Sequence, residues 1–185
     1  MTASTPSPAG PAAATQTDPE RADLLSGLGA ARYFLRFAAR DLTDEQARQR
    51  TTASELTLGG LIKHVAAVER GWANFVLEGP SALGDYSAMS EEDFARWGDQ
   101  FRLLPGETLA GVLAGYAEVA RRTDELVASL PDLNVTQRLP KAPWFPPGER
   151  RSARRVFLHI AAETAQHAGH ADIIRESLDG AKSMS

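Results

Sequence analysis

What this chain can fold into is constrained most by how its apolar residues repeat. Over four long stretches they recur every three or four positions, and nowhere do they alternate with period two for any length. Spacing of that kind places the apolar side chains on one flank of an α-helix, and helices with such a flank must bury it against one another. The first stretch runs from about Asp18, with Leu24, Leu25, Leu28, Ala31, Leu35 and Ala38 in register and Arg32, Arg36 and Arg40 assigned to other faces. In "DLTDEQARQR", Thr43 and Gln46 form a capping-box pattern for a short turn of helix. The second long helix starts at Thr57 and carries Leu58, Leu61, Val65, Val68, Trp72 and Phe75 to a stop at Gly79-Pro80, with His64 on the same side. A loop and a short helix capped at Ser90 follow. The third long helix spans about Thr108 to Leu130, where Pro131 ends it. The Pro-rich segment 131–152 is too long for a plain bundle connection, and the fourth long helix begins near Ser152.

No repeat of fixed period favours a solenoid. The expectation is an all-α four-helix bundle with long connections, antiparallel or crossover, over residues 19–180. It is flanked by a disordered tail at 1–18, rich in Ala, Pro, Ser and Thr, and a flexible end at 181–185. Asp and Glu number 24 against 20 Lys and Arg, with no long run of one sign, so neither nucleic acid nor an anionic membrane is an expected partner. Apolar runs fall short of the ~18 residues that span a bilayer. Without secretory features the chain is expected in the cytoplasm, as a monomer or homodimer. Cysteine is absent, so any thiol chemistry must use an external thiol.

Three of the four histidines fall in "HIAAETAQHAGHADIIRESLDG". Val156, Ile160, Glu163, His167, His170, Ile174 and Leu178 form a stripe on the fourth helix whose three central members are polar. An inward carboxylate needs a cation or hydrogen-bond donors. Glu163 and His167 are four residues apart, about 6 Å along the axis and ~40° around it, so their side chains can converge on one ion. His159 and His167 are eight apart and about 12 Å distant, too far to share one. His64 from a facing helix completes a three-ligand set with an open fourth position, the arrangement of catalytic zinc sites. Two nitrogen donors favour zinc among divalent metals, although nickel, iron and manganese fit similar donors. A hydrogen-bonded polar network in the core is the competing structural account of the same residues.

The segments "LTLGGLIKHVAAVERGW" and "VFLHIAAETAQHAGHADIIRESLDG" resemble the DinB-like superfamily of metal-binding four-helix bundles, which includes the YfiT-like proteins. The second is similar to the end of actinobacterial members related to mycothiol-dependent S-transferases and maleylpyruvate isomerase. The resemblance implies a His, Glu, His metal set at His64, Glu163 and His167, and a low-molecular-weight thiol, mycothiol, activated as a thiolate for attack on a small electrophile. An isomerase adding the thiolate reversibly to an activated double bond is the nearest alternative. The chain's end soon after the fourth helix points to the transferase. A noncatalytic metal-bound sensor is the rival from another class, and hydrolysis by bound water is the weakest. Around the metal set, His170 is assigned a proton relay and His159 a hydrogen bond to Glu163. Arg154, Arg155 and Trp144 are the candidates for holding thiol or substrate, Trp72 and Trp97 are placed in the core, and Asp172 and Arg175 on a solvated flank.

Overall fold

The computed structural model describes residues 18–84 and 89–184. The tail, apart from Asp18, lies outside them, as do positions 85–88 of the loop before the short helix and Ser185 at the end. Six helices are described: α1 (Pro19–Ala38), α2 (Asp44–Arg48), α3 (Leu58–Glu78), α4 (Glu91–Gly98), α5 (Leu109–Ser129) and α6 (Ala153–Asp179). Each starts where a side chain accepts from a free N–H of the first turn: Asp18, Thr43, Thr57, Ser90, Thr108 and Ser152 are the caps. Thr43 with Gln46, and Ser90 with Asp93, close full capping boxes. No helix among the described residues is long and apolar enough to cross a membrane.

The four long helices form an all-α bundle in which α1 lies against α6, α6 against α3, α3 against α5 and α5 against α1. Side chains at the helix ends give the directions. Arg154 bonds Glu20 where α1 and α6 start, and Arg175 donates to the carbonyls of Ala38 and Arg40 where α1 finishes, at 2.9 and 2.7 Å, so these two run parallel. Lys63 pairs with Glu107 at 2.8 Å, which makes α3 and α5 parallel as well. Arg21 of α1 donates to Leu130 O at 2.6 Å, and Thr51, just ahead of α3, donates to Ile174 O at 3.0 Å, so the two pairs are opposed. The order is therefore up, down, down, up, and only 79–108 must travel the length of the bundle. That crossover carries α4 and a tight turn at Asp99–Phe101.

The crossover lies on the start of α3 through two glycines. A Cβ on Gly60 would stand 1.8 Å from the Phe101 carbonyl oxygen, and one on Gly59 2.5 Å from Leu103 Cδ1. No side chain fits there, so backbone meets helix directly. The segment 131–152 contains a hairpin that the sequence reading leaves as loop. Thr136–Arg138 (β1) pairs antiparallel with Arg150–Ser152 (β2), Gln137 opposite Arg151. Strands of three residues are too short to show an alternating pattern.

Two apolar clusters fill the bundle, one around Leu35, Leu61, Val65, Tyr116 and Ile174, the other around Leu28, Trp72, Phe75, Phe157 and Ile160. Burying a Leu or Phe side chain contributes about 1.5–3 kcal/mol, so these clusters supply most of the driving force. Between them each long helix contributes one polar residue: Arg32, Glu69, Thr123 and Thr164 are all buried. Arg32, assigned above to an outer face, is 2% exposed, and Glu69 is 0% exposed. Their pairing is bidentate, at 3.1 and 2.5 Å, with a third bond from Arg32 to Asp124 at 2.7 Å. Arg175 is likewise not on a solvated flank. Its bonds to Ala38, Arg40 and Asp179 bury it between the ends of α1 and α6.

Candidate metal centre

The buried stripe of α6 runs through Phe157, Ile160, Thr164, Ala168, Ala171 and Arg175. Glu163, His167 and His170 sit at its edge, half-buried, rather than at its centre as the sequence reading had them. One position of offset, ~100° of rotation, turns them from the core toward a cleft between α6, α3 and the crossover. Small residues at Ala168 and Ala171 leave the packing to their neighbours.

His64 of α3, Glu163 and His167 meet there. One ligand atom from each lies within 4.8 Å of the other two. Glu163 Oε1 is 3.4 Å from His167 Nε2 and 3.9 Å from His64 Nε2, and the two imidazole rings stand edge to face at 4.9 Å. Donors around a tetrahedral zinc with bonds of ~2.1 Å are about 3.4 Å apart, so the set is at or slightly wider than that spacing. These imidazoles are the only ion-pair partners of Glu163 among the described residues. The imidazoles beside it, first His167 and then His64, hold its carboxyl well below the usual range against the opposing effect of burial. The cluster thus offers two nitrogen donors and one carboxylate, and no Lys or Arg pairs with that carboxylate among the described residues. A buried nitrogen of His64, Nδ1, has no hydrogen-bond partner among the described residues. The residues present therefore fit a divalent metal: three convergent donors, one ionised oxygen, and an open side toward the cleft.

Two aromatic or imidazole neighbours fix the histidines. Phe101, carried onto α3 by the close approach at Gly60, stacks on His64 with ring centres 4.2 Å apart. His170 Nδ1 lies 3.3 Å from His167 Nδ1. When His167 presents a bare Nε2 to an ion, its Nδ1–H donates to His170, which sets the tautomer of both rings. His159 does not reach Glu163. It stands edge-on to Trp72 at 4.8 Å, and burial, with the positive charge of Arg151, pushes its imidazole below the usual range.

The cleft beyond the triad encloses about 830 Å³. Trp144, a sequence candidate, lines its mouth at 62% exposure. Trp97 is there too and 50% exposed, not in the core. Arg154 is elsewhere: five residues before His159, it is rotated ~140° away and forks to Glu20 and Asn134. Arg155 is exposed and outside the cleft lining. Two arginines line it: Arg96 of α4, and Arg151, which nothing in the basic run "ERRSARR" singles out.

The family model for mycothiol S-transferases matches residues 23–180. The chain belongs to this family. That match covers the whole bundle but for the first turn of α1, including all three residues of the triad. No curated protein matches the chain. Membership in the mycothiol S-transferase family implies use of a thiol substrate, and the His64, Glu163 and His167 cluster is a possible metal-binding group in the same domain.

Proposed function

We propose that the protein is a zinc-dependent S-transferase that joins mycothiol to a small electrophile. The observation that carries this reading is the convergence of His64, Glu163 and His167 on one point beside an aromatic cleft that His64 and Glu163 line, with no Lys or Arg partner for Glu163 among the described residues. A bound divalent ion supplies positive charge that keeps a thiol ionised at neutral pH, where a free thiol with pKa ~8.5 is mostly protonated. The chain has no cysteine of its own, so the nucleophile arrives from outside.

The residues around that point have separable tasks. His64 and His167 would offer a divalent ion nitrogen donors, and Glu163 the one carboxylate of the set. His170 orients His167 through the nitrogen pair at 3.3 Å, which makes it a positioning residue rather than a proton relay. Phe101 covers one face of His64, and Trp72 packs on His159, one turn of α6 before Glu163. Overall, a C–S bond forms with the sulfur electron pair, the leaving group departs with its own bonding pair, and the thiol proton passes to solvent.

The test is conjugation. Zinc-loaded protein is incubated with a bimane electrophile and mycothiol, bacillithiol or glutathione in turn, and products are identified by mass. Mycothiol-selective conjugation that is lost in His167→Ala is the expected result. Metal-loaded protein that conjugates none of the three thiols would leave a ligand-binding bundle as the better account.

A further inference from the structure

One cationic group in the cleft is left without a task by the S-transferase reading. Arg151 lies on β2 opposite Gln137. Its strand neighbour Arg150 turns outward to Thr136, and Ser152 caps α6, so alternation aims Arg151 at the bundle. There the guanidinium sits over Trp72 at 5.1 Å and Phe145 at 5.3 Å, with the side chain only 14% exposed. It has five N–H donors and cannot shed its charge. Nε reaches Glu149 at 3.3 Å, a long bond, and the buried Nη1 has no acceptor among the described residues. A buried donor without an acceptor calls for a reason.

Apart from the triad, whose donors face the metal position, the other charges of the cleft are paired more closely than Arg151, whose one ion pair is with Glu149 at 3.3 Å. Arg96 pairs with Asp93 at 2.6 Å, and Asp93 also closes the Ser90 cap. The cleft thus has two unlike walls. The α4 side offers Asp93, Arg96 and Gln100, whereas the hairpin side offers Trp72, Phe145 and Arg151.

We propose that Arg151 anchors a carboxylate on the electrophile, so that the substrates of this protein are aromatic or apolar electrophiles bearing an acid. The assignment rests on the S-transferase reading of the same cleft. A guanidinium fork matches a carboxylate bidentately, and its aromatic surroundings exclude the water that would weaken the contact. Trp72 touches both the Arg151 guanidinium, 5.1 Å from its ring, and the His159 ring at 4.8 Å, and His159 is one turn of α6 before Glu163. The acid of a substrate accordingly meets Arg151, its apolar body lies on Trp72 and Phe145, and its reacting carbon faces the triad.

A para-substituted benzyl halide has this shape. With zinc-loaded protein and mycothiol, para-(chloromethyl)benzoate is compared with its uncharged amide; sulfur displaces chloride, which leaves with the bonding pair, and the thiol proton goes to solvent. Wild type is expected to favour the acid by about tenfold or more in kcat/KM, as a site built around a buried donor does. Arg151→Met should bring that ratio toward unity, and Arg151→Lys, which keeps charge but not the fork, should fall between. A ratio unchanged by Arg151→Met, or a variant that raises only KM for the thiol, would overturn the assignment. A second readout needs neither metal nor thiol: para-toluate, the unreactive analogue, is titrated into protein and followed by NMR line shifts, with Arg151→Gln as a second variant and a thermal melt as the folding control. Loss of para-toluate binding in folded variants supports the anchor even if no conjugate ever forms, and equal binding in wild type and variants refutes it even if conjugation is fast.

Discussion

Two clusters of ionisable side chains cross this bundle, and they are built on opposite terms. The Arg32, Glu69 and Asp124 cluster is closed: opposite charges meet at 2.5 to 3.1 Å, and two of its three members are buried. The His64, Glu163 and His167 cluster is open: its contacts are 3.4 and 3.9 Å, and its carboxylate has no Arg or Lys partner among the described residues. Short contacts that satisfy every charge describe a structural layer. Longer contacts that converge on one point describe donors arranged for something the protein does not supply. The difference teaches that burial alone does not mark a site, since Glu69 is more buried than Glu163. Unspent bonding capacity marks it.

The most severe way to break the comparison is to remove one member of the closed cluster. Arg32→Ala leaves Glu69 buried and unpaired and should cost about 3–5 kcal/mol in denaturant unfolding, with zinc content per folded chain unchanged. Glu163→Ala in metal-free protein should cost well below that, about 1 kcal/mol or less. Equal costs for the two would erase the distinction. Next in size is Gly60→Ala. Its methyl group must displace the backbone at Phe101, a clash expected to cost about 1–3 kcal/mol and to lift Phe101 from His64, so both the melting temperature and zinc affinity should fall. An unchanged melt would show that the crossover does not seat on α3 as described.

Milder still, His170→Ala should weaken zinc binding by roughly 10–100-fold in a chelator competition while the melt of metal-free protein stays where it was. Wild-type zinc affinity in that variant would detach His170 from the centre. Arg154→Ala sits at the bottom of the scale. Because its forked pair with Glu20 is partly exposed and outside the cleft, zinc content and conjugation rate should not change, and a drop in either would restore the role that the sequence suggests.

How far the sequence carries depends on whether a feature is local. Helix starts at Thr43, Thr57, Ser90, Thr108 and Ser152 are legible because a cap is a bond between residues three apart. The triad is legible because the step from Glu163 to His167 is one turn of one helix, and His64 stands on an apolar flank. The polar layer escapes because a stripe counted by its apolar members omits the charged one: Arg32 is four after Leu28 and three before Leu35, in full register with both. Trp97 is misplaced by equating large and apolar with buried, a rule that holds in one direction only. Choosing among the arginines of "ERRSARR" requires the pairing register of two three-residue strands, which fixes Arg151 inward and leaves no trace in the composition.

The central claim is that the open cluster, and not the closed one, is the metal centre. Zinc content of the purified protein, measured by elemental analysis beside His64→Ala, Glu163→Ala and His167→Ala, tests it most directly. The account predicts one ion per wild-type chain and little or none in each variant, since three protein ligands are the minimum for a tight site. Full zinc in His167→Ala protein, or zinc that departs only when His159 is replaced, would contradict it.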